Sequence, residues 1–241
     1  MLNALQDIVD RAHAQIDPED DDPLGGYSYL RSRGVTDEQI KLFRVGLGPK
    51  TARLPEESET GKRFNRQYRG TLEGRVIIPL YNCSGALRGI LTRAWEERMF
   101  STFYLDGWEE DAVLFGMPQN LQAIWETKTV FLVEGSFDFF PVQRVFPNTL
   151  SPLTAKLSQN QLRFLRRWAK NVVFLFDRDK KGMEYASKAV ERFNVVGGEE
   201  GFMVHRLPYP AKDPGALYEM WGATKFAAHL RRQADGMNLY L

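Results

Sequence analysis

Five acidic side chains stand where metal or acid–base chemistry would be sought: Glu134, Asp138, Asp177, Asp179 and Asp213. Glu134-Gly135 closes the apolar, β-branched run TVFLV at 129–133, and Asp138 follows four residues later. Asp177-Arg178-Asp179 closes a second run, NVVFLF at 171–176. Lys212-Asp213-Pro214 comes after a third, GFMVH at 201–205. In open α/β sheets ligands gather at the carboxyl ends of the strands, so these runs deliver their carboxylates to one edge of one sheet. Carboxylates held close together repel and call for a counter-charge. Mg²⁺ or Mn²⁺ takes such hard oxygen ligands, with water and substrate phosphate completing the shell. Phosphoryl transfer then needs little more than ions that position and neutralise oxygens, helped by cationic side chains.

Each signal has a plainer reading when taken alone. An Asp-x-Asp is commonly a surface turn. A calcium loop starting at Asp177 fits poorly, because Lys181 and Lys188 fall where oxygen ligands are required. Lys-Asp-Pro is an ordinary turn before a helix, with Asp213 as its cap. In order, each at the end of an expected strand, they point together to a divalent metal.

The elements that must position these groups follow from pattern. Apolar strands are expected at 129–133, 171–176 and 201–205, with a weaker one at 148–150. Helical patterns at 137–145, 159–169 and 181–193 lie between them, and Ser158 with Gln161 forms a capping box for the middle one. Alternating strands and helices imply an α/β parallel sheet flanked by helices. The chain before residue 126 reads differently. Helices are expected at 2–16, 27–33 and 37–43, the last opened by the capping box Thr36–Gln39. Residues 46–61 read as loop, and 75–80 and 87–94 as strands joined by a turn at 82–85, with another strand at 100–105.

Charge divides the chain more sharply than its net of +1 suggests. Residues 1–22 carry seven acids against Arg11, and 62–98 carry eight Lys and Arg against Glu73, Glu96 and Glu97. Guanidinium groups pair with phosphates bidentately, so the second stretch suits a polyanion, with a solvated face as the alternative. The single Cys83 and three scattered histidines exclude a disulfide and a structural zinc site. No apolar run is long enough to span a bilayer, and the N-terminus lacks a signal-peptide pattern. A cytoplasmic protein, close to the chromosome, is expected.

Val133-Glu134-Gly135-Ser136-Phe137-Asp138, Phe176-Asp177-Arg178-Asp179-Lys180-Lys181-Gly182 and Lys212-Asp213-Pro214 resemble the three Toprim motifs. That domain is shared by DnaG-type primases, type IA and type II topoisomerases, OLD-type nucleases and RecR proteins. The segment 29–43 (YLRSRGVTDEQIKLF) with Gly46-Leu-Gly-Pro49, the strand Gly74-Arg-Val-Ile-Ile-Pro-Leu80 with Gly85 and Gly89, and Leu114-Phe-Gly116 are similar to the DnaG catalytic core. So are Leu157-Ser158, Gln161-Leu162 and Leu165-Arg-Arg167.

The resemblance implies a Toprim domain at 116–222, preceded by a smaller basic α+β subdomain at 23–115. An N-terminal helix and acidic linker occupy 1–22, and a C-terminal helix and tail 223–241. It implies a DNA primase core making short RNA primers from ribonucleoside triphosphates on a single-stranded DNA template. Glu134 would be the acid/base or essential metal-site carboxylate, and Asp177 and Asp179 would hold Mg²⁺ or Mn²⁺. Asp138 and Asp213 would support the site. Arg75, Arg88, Arg93, Arg98, Lys180 and Lys212 would contact nucleotide or template phosphates. Primases carry a zinc-binding module that is not found here, so no zinc is expected. A separate zinc-binding or helicase partner is expected instead, as in split or phage-encoded primases. Gly215 stands where family members often have a second acid. A metal-dependent Toprim nuclease, or a non-catalytic accessory subunit of a replisome, are the alternatives. A topoisomerase is not expected, since strand passage needs a separate tyrosine-bearing domain and a gate for which this length leaves no room.

Overall fold

The computed structural model describes residues 1–16, 25–96, 100–105, 114–153, 157–177, 184, 188, 191, 203–206 and 208–237. The acidic linker 17–22, Arg98, Asp179, Lys180 and most of the expected helix 181–193 lie outside the described residues. The backbone forms two compact units, Met1–Glu110 and Asp111–Leu241.

The first unit is built on an antiparallel sheet in the order β1 (Gly46–Leu47), β2 (Arg75–Tyr81), β3 (Leu87–Ala94), β4 (Phe100–Tyr104). The β2–β3 turn is held by the Asn82 side chain, which accepts from Ser84 N and Ala86 N at 3.2 and 2.9 Å, while Gly85 takes φ 79°. Helices α1 (Leu2–Ala14) and α4 (Glu59–Tyr68) pack on this sheet. Leu5, Ile8, Val9 and Ala12 of α1 recur at helical spacing and are buried with Ile77, Ile90, Phe64 and Phe103. Helix α3 (Asp37–Phe43) starts at the expected residue, and both halves of the Thr36–Gln39 capping box are formed. Helix α2 (Gly26–Ser32) precedes it. The loop expected over 46–61 is corrected at both ends, by β1 and by the first turn of α4, whose cap is Ser58 Oγ accepting from Gly61 N at 3.0 Å.

The second unit carries a parallel sheet in the order β6 (Thr149–Leu150), β5 (Thr129–Val133), β7 (Asn171–Leu175), β8 (Met203–Arg206). Strands β5 and β7 are buried throughout, which is why they read as unbroken apolar runs. Helices α5 (Met117–Thr127), α6 (Ser136–Gln143) and α7 (Gln159–Trp168) connect and cover them. The apolar sides of α5 and α7 meet β5 and β7 in one core containing Ile124, Leu162, Leu165, Val130, Leu132, Val172 and Phe174. Helix α8 (Pro214–Asp235) closes the described chain; it begins well before the residue 223 expected for a C-terminal helix and is interrupted at Gly222, φ 67° and ψ 173°. No helix among the described residues is long and apolar enough to cross a membrane.

Candidate functional site

Two facts of topology bring the acidic residues together. Strand β5 is flanked on one side by β6 and on the other by β7, so successive connections leave it in opposite directions. A crevice opens at the carboxyl ends of two strands where that reversal occurs. The pairing of β5 with β7 is parallel and sets Val133 opposite Leu175. Glu134 is the next residue on one strand, and Asp177 lies two residues beyond Leu175 on the other. Neighbouring strands run about 4.8 Å apart, so both carboxylates rise from the rim of this crevice.

Backbone contacts fix the two strand tips. Ser151 Oγ, fully buried, donates to Glu134 O at 3.0 Å and accepts from Leu153 N at 3.0 Å. Leu153 itself sits at φ 62°, a conformation uncommon for a branched side chain and often associated with sites. On the neighbouring strand the buried Tyr209 hydroxyl donates to Phe176 O, one residue before Asp177. Neither Ser151 nor Tyr209 was singled out in the sequence. A serine-proline pair after a two-residue strand, and a tyrosine between prolines, are faint signals.

The first helical turn of α8 supplies the rest. Its cap is Asp213, whose Oδ1 accepts from Ala216 N at 2.6 Å. Asp138, in the first turn of α6, reaches across and accepts from Gly215 N at 2.9 Å. Both acids therefore lie at the positive end of a helix, where unpaired backbone N–H groups favour anions. Asp138 Oδ2 lies so close to the chain at Gly135 that a β-carbon there would stand 2.8 Å from it. A side chain at 135 would displace this carboxylate. Lys212 adds a cation: its Nζ is 3.9 Å from Asp177 Oδ2, with the lysine 67% and the aspartate 20% exposed. A pair that open to water contributes little stability.

The expected residues Glu134, Asp138, Asp177, Lys212 and Asp213 are thus gathered on one edge, while Asp179 and Lys180 lie outside the described residues. Among the described residues no three His, Cys, Asp or Glu side chains form a group able to hold a metal ion by themselves. The donors suit a hard divalent cation all the same: they are carboxylate oxygens with no Cys or His among them. Such an ion commonly uses one or two protein carboxylates and completes its shell with water and phosphate.

The basic residues of the first unit are distributed differently. Arg75 pairs with Ala94, and Val76 with Arg93, so Arg75 and Arg93 stand on opposite faces of the sheet. Arg75 Nη1 donates to Thr92 Oγ1 at 3.3 Å. Arg88 lies at the bulge where the β2–β3 register slips. One strand of polyanion laid on one face of this sheet cannot reach all three.

A Toprim-like family model matches residues 131–217, the stretch containing every described acid of this edge. Among curated proteins the chain is similar to a DNA primase of Thermotoga maritima, 26% identical over 80% of this chain and 37% of that protein. The chain spans little more than a third of the length of such relatives. Among solved structures, a DnaG catalytic core superposes with a TM-score of 0.78 at 18% identity, covering 96% of this chain and 79% of that one. A DnaG primase catalytic domain bound to single-stranded DNA gives 0.74 at 18% identity, covering 96% and 80%.

Proposed function

We propose that this chain, which carries a Toprim-like region within the fold of a DnaG-type primase catalytic core, synthesises short RNA primers by metal-dependent nucleotidyl transfer on single-stranded DNA. The observation that carries the reading is the parallel pairing of β5 with β7, which brings Glu134 and Asp177 to the same rim at the strand-order reversal, next to the α8 N-terminus that holds Asp138 and Asp213.

Glu134, Asp177 and Asp179 are the ligands we assign to Mg²⁺ or Mn²⁺, which when bound would neutralise phosphate oxygens of an incoming ribonucleoside triphosphate. The protein's own part is positional. Ser151 and Tyr209 fix the strand tips from which Glu134 and Asp177 project. Asp138 and Asp213 hold the α8 N-terminus in register with α6. Lys212, largely in solvent, offers its ammonium to a phosphate entering beside Asp177. Template contacts fall to the arginines of the first unit, among which Arg93 and Arg75 act from different faces.

Incubation with single-stranded template, ribonucleotides and Mg²⁺ or Mn²⁺ tests the reading. Oligoribonucleotides support it. A shortened template indicates a nuclease, in which the same carboxylates activate water, and binding without product indicates an accessory subunit. Glu134→Gln is expected to abolish product while leaving DNA affinity nearly unchanged. Primer synthesis that survives in Glu134→Gln removes the site assignment.

A further inference from the structure

At the opposite edge of the same parallel sheet, where β5 and β7 begin, the structure carries a second feature that the carboxylate site does not use. Trp125, on the last turn of α5, is 59% exposed, the most exposed aromatic side chain among the large hydrophobics at the described surface. Its ring meets that of Trp168, at the end of α7, with centroids 6.1 Å apart and planes at 67°. Trp168 in turn contacts Phe164 at 6.1 Å. Cations are interleaved with the rings. Lys128 Nζ lies 3.3 Å from the centre of the Trp125 ring, and the Arg167 guanidinium 6.0 Å from that of Trp168. Lys170 N donates to Lys128 O at 2.7 Å, which binds the two strand starts into one surface.

Charge is one-sided here. Residues 159–170 contain Arg163, Arg166, Arg167 and Lys170 and no acid, and Glu126 is the one acidic neighbour on α5. Lys128 ends α5 as its left-handed cap, φ 51°, and its ammonium lies over the indole. Burying a hydrophobic ring would not require this density of like charge. Aromatic faces set among cations are the arrangement by which proteins hold single-stranded nucleic acid: bases stack on the rings and phosphates meet the ammonium and guanidinium groups. A five-residue strand rises about 16 Å, so this surface is that far from the carboxylate edge.

We propose that Trp125, Phe164, Trp168, Lys128, Arg167 and Lys170 form a second contact for single-stranded nucleic acid, separate from the candidate metal centre. Charge complementarity selects this occupant over an apolar peptide, and the exposed indole selects it over a bare anion. The surface does not depend on the primer-synthesis reading.

The experiment uses the full chain and oligo(dT) carrying 5-iododeoxyuridine. Irradiation followed by peptide mapping is expected to place a crosslink at Trp125 or Trp168. Trp125→Ala is expected to weaken oligonucleotide binding about fivefold or more, the loss typical of one stacked base. Arg167→Glu with Lys170→Glu, both at exposed positions, is expected to weaken it and flatten its salt dependence. Glu134→Gln is expected to leave the crosslink in place, so failure of the catalytic reading would not be mistaken for failure of this one. Crosslinks confined to the first unit or to the carboxylate edge overturn the proposal. So does unchanged affinity in both variants, or equal competition by a polyglutamate peptide of matched charge, which would make the surface a site for acidic protein segments.

Discussion

The Asp138–Gly215 hydrogen bond joins residues 77 apart in sequence and sets α6 against the start of α8, so its removal has a calculable effect. Asp138→Ala deletes a charged acceptor from a backbone N–H at a helix start. Hydrogen bonds to charged groups contribute about 1.5–3 kcal/mol, and a carboxylate at a helix N-terminus about 0.3–1 kcal/mol, with overlap between the two. About 2 kcal/mol is a fair total for this half-buried residue. In a unit of this size, 1 kcal/mol moves the melting temperature by roughly 3–5 °C. Asp138→Ala should therefore lower it by roughly 6–10 °C. Asp138→Asn keeps an oxygen for Gly215 N–H and loses only the charge, so its effect should be less than half as large. Opposing this is repulsion from Glu134, Asp177 and Asp213, which Asp138→Ala relieves. The assay is circular dichroism melting in EDTA, where no divalent ion masks that repulsion. A melting temperature equal to or above that of the wild type would refute the reasoning, since repulsion would then outweigh the tie.

Gly116 takes φ 88°, and a β-carbon there would stand 2.5 Å from the Phe139 ring. Gly116→Ala combines left-handed strain with overpacking and should cost roughly 2–4 kcal/mol, read as a shift in the urea midpoint. Burial holds the Tyr68 hydroxyl above its ordinary value, opposed by the Ser101 and Thr92 hydroxyls and by Arg75. The neutral phenol is thus favoured in the folded state. Its contribution is complete below the ordinary phenol value of about 10 and is lost as pH rises through the higher folded value. Urea unfolding between about pH 9 and 11 should show falling stability, and Tyr68→Phe should reduce the slope.

Much of the fold was legible because local chemistry and burial agreed. Both capping boxes formed as read, and the buried strands showed themselves as short apolar runs. Two helices escaped. Helix α4 buries Thr60, Gly61, Phe64 and Tyr68, a contact stripe with only two large side chains in an otherwise polar segment. Helix α5 has a left-handed Gly116 as its cap and Pro118 as its second residue, and both are also turn formers. At the site, residue types and strand ends pointed to Glu134, Asp138, Asp177, Lys212 and Asp213. Strand order and register were not legible, because they depend on pairings between segments about forty residues apart. The reading of Lys-Asp-Pro as a turn with Asp213 for its cap also holds, alongside its place on the carboxylate edge. Gly215, set apart as lacking an acid, turns out to offer its backbone N–H to Asp138.

The strand order has a consequence for how the protein comes into being. On a ribosome the first acidic tip is made some forty residues before its neighbour on β7, and the amide that steadies Asp138 comes later still. A nascent chain that ends before α8 already has Ser151 to hold the Glu134 carbonyl and Tyr209 to hold that of Phe176, but it lacks the Gly215 amide from which Asp138 accepts. The tie between α6 and α8 is therefore among the last contacts this unit acquires during synthesis, after its central strands have been made.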